Sequence, residues 1–282
     1  MSNSCIIFAC TIVDETRLHV LHKFLTAFKT KFSDSDIFIG INHCSVYQIE
    51  DIINSYELNV VFMQRCDESM YSFSDASAYQ LALRGLYAAT KEYDNYWFVH
   101  TKSGVNAHSD YLADWYIHNF LGNRGSVETF VSDNTGIGSY GMLGLEFDDE
   151  KYYKDTDCEI HLFNNTLTDR LPCTHANFFY IHSIYMISKL PMQQFFKHVS
   201  DTWFTTKLDR YYFEGVFPFI VSRTGYFPYI ENRYSCTATD LQEGIDNWIF
   251  VNNLEKYKKY TNIFKTAYIF HQLQPPYVNS IT

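Results

Sequence analysis

The chain lacks the signatures of the commonest nucleotide-binding and hydrolytic sites. No Gly-x-Gly-x-x-Gly follows its first apolar run and no Gly-rich loop ending in Gly-Lys-Ser/Thr occurs, which argues against ordinary NAD and P-loop chemistry. Ser-His and Cys-His combinations exist without a Gly-x-Ser-x-Gly elbow, which argues against a hydrolytic triad. The seven cysteines (5, 10, 44, 66, 158, 173, 236) are odd in number and form no Cys-x-x-Cys. A disulfide framework is not expected, a reducing compartment fits, and Cys5, Cys10 and Cys66 read as small buried hydrophobes. The net charge of −10 comes with no basic patch, the densest run being Lys256-Tyr257-Lys258-Lys259, so nucleic acid is not an expected partner. No run approaches the ~18 apolar residues of a membrane span. Residues 5–13 are apolar but short, broken by Thr11 and not preceded by a basic region. They predict a first strand rather than a signal peptide, and a soluble, cytoplasmic protein.

What is present suits one large core: 282 residues, 46% of them hydrophobic. Aromatic residues reach 18%, most of them expected in the core, with sugar or base stacking as the alternative for a few. The first hundred residues alternate between two periods. Residues 5–13 form an apolar run typical of a strand buried on both faces. Residues 14–32 place Leu18, Leu21, Leu25, Phe28 and Phe32 at helical spacing. Strands follow at 36–42, 59–63 and 96–100, with helices at 46–56 and from Ser74 or Asp75 to about Tyr93. Repeated strand–helix units predict a parallel, doubly wound α/β sheet.

The alternation then breaks. The spacing predicts a helix over 110–121, strands over 140–145 and 177–181, and a helix ending at Leu190 before Pro191. It also predicts an acidic loop over 148–157 and a C-terminal helix capped by Asp240. One domain is expected, with a nucleotide-binding half at 1–105, an acceptor half at 106–235 and a helical segment and tail at 236–282.

The most informative stretch is Tyr96-Trp97-Phe98-Val99-His100-Thr101-Lys102-Ser103-Gly104, an apolar strand that stops at three chemically capable side chains. In open α/β sheets ligands bind just outside the carboxyl ends of the strands. His100-Thr101-Lys102 is followed in order by Asp114-Trp115, His175-Ala176-Asn177-Phe178-Phe179, Leu190-Pro191, and Arg210 with Glu214. Together with the layout, this series resembles GT-A-fold glycosyltransferases, and in particular bacterial and viral proteins related to rhamnan-synthesis enzymes. The resemblance covers about residues 5–230. It departs at Ser103 before the Gly, at Tyr116 for Arg, at Ala176 for Gly and at Phe179-Tyr180 for a Trp pair.

The resemblance implies a Rossmann-like parallel half, a mixed second half, a nucleoside-diphosphate sugar as donor and a glycan hydroxyl as acceptor. Such enzymes usually carry a metal-binding Asp-x-Asp after the fourth strand, where this chain has His100-Thr101-Lys102. Lys102 can neutralise phosphate charge as a cation, and Thr101 and His100 can donate hydrogen bonds. A divalent metal, Mn²⁺ or Mg²⁺, stays open, with His100 as one ligand. The bland alternative is that these residues cap a strand and pair with a carboxylate.

Two Asp-x-Asp strings do occur. Asp34-Ser35-Asp36 lies at the wrong end of the sheet, and Asp155-Thr156-Asp157 lies in the acidic loop. The nucleoside is expected over Thr11 and Asp14, Asn42, and Arg65 or Asp67, with Ser74 and Ser77 at a helix start, where capping competes with anion binding. Glu214 is the first candidate for general base in an inverting transfer, or else a partner of Arg210 at i,i+4. Asp114 is the second candidate. Trp115, His175 and Asn177 are expected at the acceptor. A non-catalytic nucleotide- or glycan-binding protein is the rival function, and a nucleotidyltransferase the third, weakened by the absence of glycines over 11–17.

Overall fold

A computed structural model describes residues 3–42, 48–66, 74–101, 113–114, 116–134, 137–142, 144–147, 178–181, 184–199, 201–205, 213 and 227–231. Four parallel strands open the chain: β1 (Ser4–Thr11), β2 (Asp36–Asn42), β3 (Val60–Arg65) and β4 (Asn95–His100). They are joined through α1 (Leu18–Lys31), α2 (Ile49–Asn54) and α3 (Ser74–Ala89). The second half supplies α4 (Arg124–Asp133), β5 (Ile137–Met142), β6 (Gly144–Phe147), β7 (Phe178–Ile181), β8 (Tyr185–Ser188), α5 (Lys189–His198) and β9 (Phe227–Glu231). The main sheet has the order β3-β2-β1-β4-β8-β5-β9, and β6 pairs with β7 apart from it. β8 runs against both its neighbours, β4 and β5, while β9 runs parallel to β5. A parallel half thus continues into a mixed half within one sheet, as expected. No helix among the described residues is long and apolar enough to cross a membrane.

Strand alternation sorts the core into two layers. Ile6, Phe8 and Cys10 of β1, with Trp97 and Val99 of β4, pack under α1, α2 and α4. Cys5, Ile7 and Ala9, with Tyr96 and Phe98, pack under α3 and α5. β1 is buried along its whole length because both layers use it, which is why it reads as a near-continuous apolar run. The three described cysteines, Cys5, Cys10 and Cys66, are buried, as expected. Burial, aided by the nearby Asp36 carboxylate, pushes the Cys5 thiol well up.

α3 lies unusually close to the sheet. A Cβ on Gly40 of β2 would sit 1.9 Å from the Ala78 carbonyl oxygen, and one on Gly85 of α3 would sit 2.3 Å from the Phe62 ring. On the other layer, α4 closes the amino ends of the strands. Glu128 accepts from Ser4 Oγ (2.7 Å), Trp97 Nε1 (3.1 Å) and Arg124 Nε (2.9 Å). Arg124 also pairs with Asp34 and lies over the Phe32 ring. Asp36 is held by Lys91 Nζ (2.8 Å), Tyr93 Oη (2.5 Å) and Asn59 Nδ2. Both carboxylates of the first Asp-x-Asp string therefore serve the amino end of the sheet.

The sequence expectation differs in four places. α3 stops at Ala89 rather than near Tyr93, because Thr90 turns left-handed (φ 51°) and its N–H closes on the Tyr87 carbonyl. The run at 140–145 is split between β5 and β6, which belong to different sheets. Residues 185–188 are a strand, and the helix begins at Lys189 with Pro191 inside its first turn. Proline is tolerated there because the first helical N–H groups have no intrahelical acceptor. α4 was not signalled, since its only described buried apolar residues are Val127 and Val131. The acidic loop, the C-terminal helix and the second Asp-x-Asp string lie outside the described residues.

Gly40→Ala must push α3 off β2 or distort the strand, and overpacking of this kind costs about 1–3 kcal/mol. A urea titration should show a lowered midpoint, and an unchanged midpoint would contradict the close packing.

Acid should also unfold the protein through specific carboxylates. The Arg124 guanidinium holds the Asp34 carboxyl below its ordinary range. Burial opposes ionisation of Asp36 and Glu50, but Lys91 and Tyr93 around Asp36, and Arg65 on Glu50, outweigh it and lower both. As pH falls, the unfolded chain takes up these protons first. Their stabilisation is therefore full above about pH 5 and drains as pH drops through the unfolded and then the lower folded values. Asp36→Asn should flatten this acid limb in melting curves taken between pH 6 and 3, and an unchanged acid limb would contradict it.

Candidate functional site

β1 and β4 are neighbours in the sheet but not in sequence, and the chain leaves them in opposite directions across the sheet. At such a reversal the connections part and leave a crevice outside the carboxyl ends. The register Ala9↔His100 and Thr11↔Asn42 puts Thr11, Asn42 and His100 at the three adjoining strand ends. By alternation all three lie on the layer covered by α3.

α3 answers with Asp75 in its first turn. Thr11 Oγ1 donates to Asp75 Oδ1 (2.9 Å), and His100 Nδ1 lies 2.9 Å from Asp75 Oδ2. The His100 side chain is 4% exposed and that of Asp75 18%. One turn along α3, the Tyr79 ring stands 6.3 Å from the His100 ring and 5.0 Å from that of Phe213. The helix N-terminus offsets part of the cost of a half-buried carboxylate. Gly40 is what lets this end of α3 approach the strands.

Thr101 performs a different task. Its Oγ1 accepts from the Thr11 N–H (2.8 Å) and donates to the Thr11 carbonyl (2.7 Å), while its own N–H donates to the Ala9 carbonyl (3.1 Å). One side chain thus completes the β1–β4 ladder where the backbone pairing ends.

The other anticipated residues are dispersed. Asp14 caps the short 3-10 turn Glu15–Arg17, accepting from the Thr16 N–H (2.8 Å). Arg65 forms a two-point pair with Glu50 of α2, at 3.0 and 2.7 Å. Asp114 sits on the opposite face of the sheet from α3, paired with Lys23 of α1 at 2.7 Å. It lines a groove of about 610 Å³ together with His19, His22 and Thr26. Ser74 begins α3. Lys102, Trp115, His175, Asn177 and Glu214 lie outside the described residues.

The residue that sequence reasoning missed is Asp75. It was legible as a cap for α3, but the reason it matters is that both its oxygens reach across to β1 and β4. No local pattern announces that. The Asp75 carboxylate comes within 2.9 Å of both Thr11 Oγ1 and His100 Nδ1. Among the described residues, no group of three or more His, Cys, Asp or Glu could hold a metal ion.

No protein-family model matches the chain, and no curated protein matches it. Among solved structures it is similar to core-mannan synthase A from Aspergillus fumigatus in its Mn/GDP form, with 10% identity and a TM-score of 0.39. That similarity spans 88% of this chain and 86% of the other.

Replacing Thr101 by Val would strand the buried Thr11 N–H and carbonyl. An unsatisfied buried group costs about 1–3 kcal/mol, so Thr101→Val should lower the denaturation midpoint. Thr101→Ser, which keeps the hydroxyl, should recover most of the loss. Equal loss in both variants would assign the effect to packing instead.

Proposed function

We propose that the chain is a GT-A-like glycosyltransferase, moving a sugar from a nucleoside-diphosphate donor to a hydroxyl of a glycan or related acceptor. The observation that carries this reading is the meeting of Thr11, Asp75 and His100 at the carboxyl ends of β1 and β4, beside Asn42 of β2, the place where open α/β sheets bind their ligands. Lys102 follows Thr101 directly and is the cation that meets the donor diphosphate. Residues 1–105 hold the donor and residues 106–235 the acceptor. In an inverting transfer the acceptor oxygen bonds to the anomeric carbon as the bond to the diphosphate breaks. Glu214 takes the acceptor's proton, and Lys102 faces the charge left on the departing diphosphate. Trp115, His175 and Asn177 line the acceptor side. Asp114 is the weaker candidate for the base, since Lys23 engages it.

A second reading, a binding protein that retains the fold without turnover, has one observation in its favour. His100 and Thr101, which stand where a metal-binding acid pair is usual, are both engaged within the protein.

A thermal-shift screen with UDP-, GDP-, CMP- and dTDP-sugars separates the possibilities, because a ligand that binds the folded state raises the melting temperature by mass action. At least one donor should shift the transition, and sugar release or transfer should follow. A shift without turnover supports the binding protein, and no shift with any donor contradicts the transferase reading and favours a non-catalytic protein. With the active donor, Lys102→Ala should weaken nucleoside-diphosphate binding by about 1.5–3 kcal/mol and leave the bare nucleoside nearly unaffected. EDTA should leave binding largely intact. Abolition by EDTA with rescue by Mn²⁺ would contradict the role of Lys102 and redirect attention to His100 and to Asp155 and Asp157.

A further inference from the structure

We propose that the open groove that α1 forms with Asp114, Ile117 and Gly122 is a second binding site, and that it takes a short neutral oligosaccharide. The proposal stands on the groove's own residues, apart from the strand ends and the donor.

The groove is built before any ligand arrives. Phe24, Leu25 and Phe28 anchor α1 beneath it, and Ala113, Tyr116 and Leu121 anchor the facing wall, all of them buried. At the far end Arg124 Nη1 donates to the Lys31 carbonyl (2.9 Å), which ties that wall to the last turn of α1. The space between is about 610 Å³, within the range of small-ligand sites. Along α1 it runs from His19 to Lys31, a length of about 18 Å at the helical rise. A ligand that fills it is elongated.

The lining selects the chemistry. Thr26 Oγ1 donates to the His22 carbonyl (2.8 Å), and Thr30 Oγ1 donates to the Thr26 carbonyl (2.9 Å). With their protons committed to the helix, both oxygens can only accept from a ligand. The Asp114 carboxylate also only accepts, whereas Lys23 and Lys31 only donate. A phosphate or carboxylate brings no donor and leaves the first three unanswered. A sugar hydroxyl donates and accepts, so it serves both kinds. Charge points the same way. Lys23 Nζ lies 2.7 and 2.8 Å from the two Asp114 oxygens, and a neutral ligand leaves that match intact. Ala27, Ile117 and Gly122 add apolar surface for the C–H face of a sugar ring.

The test is an amide NMR titration with neutral trisaccharides (maltotriose, cellotriose, mannotriose and xylotriose), with trigalacturonate and inorganic phosphate as anionic controls. It is run on the unaltered protein, on Thr26→Val with Thr30→Val, and on Thr26→Ser with Thr30→Ser. Both positions are exposed, so both double variants should fold, which their melting temperatures check. At least one neutral trisaccharide should bind the unaltered protein and shift the amides of Thr26, Ala27 and Thr30. The valine pair should weaken it about tenfold or more, the loss of two ordinary hydrogen bonds, and the serine pair should keep most of the affinity. No binding of any neutral trisaccharide would overturn the proposal. So would tighter binding of either anion, or equal affinity in the valine pair and the unaltered protein. The transferase reading depends on the donor screen and not on these titrations, so the two fail separately.

Discussion

β1 and β4 run side by side from Ser4↔Asn95 to Ala9↔His100, and that register decides which side chains can meet at their ends. Strand residues alternate faces, so a shift of one residue would send His100 to the α1 layer and leave Asp75 facing a valine. The register is secured twice. Both apolar layers claim alternate residues of β1, and Thr101 locks the last position through the Thr11 backbone. The site is thus a consequence of core packing. The same hydrophobic pattern that buries Phe8 and Trp97 on one side delivers Thr11 and His100 to the other.

The two ends of the sheet divide the labour. At the amino ends, Arg124, Asp34 and Glu128 tie α4 to Ser4 and Trp97, while Lys91, Tyr93 and Asn59 hold Asp36. These charges are matched among themselves and serve stability. At the carboxyl ends the polar groups come from three separate elements and converge on one point. Architecture of this kind places function at strand ends and stability beneath.

Much of the parallel half was legible in the sequence. The span of β2 was read to the residue, and β1, β3 and β4 to within one or two at each end, because period-2 and period-3.6 patterns do not overlap there. The mixed half was less legible. Pro191 reads as a stop signal, yet in the first turn of a helix it costs nothing, so one residue supports opposite boundaries. The apolar run at 140–145 carries no mark that it divides between two sheets. Of the candidate site, Thr11, Asn42 and His100 were legible from their strand-end positions. Arg65 and Asp114 occupy plausible positions but are drawn into pairs with Glu50 and Lys23, partners set by helix packing that no spacing rule encodes. Asp75 was hidden for the same reason, since its importance lies in contacts with residues 64 and 25 positions away.

The central claim is that a nucleoside-diphosphate sugar occupies the crevice at the β1–β4 reversal. The most direct test is a crystal structure with the nucleotide sugar that most raises the melting temperature. The account predicts the diphosphate at the carboxyl ends of β1 and β4, within reach of Lys102, with the nucleoside extending over Asn42. A nucleotide found at the amino ends of the strands, or in the groove beside α1 that Asp114 lines, would contradict it.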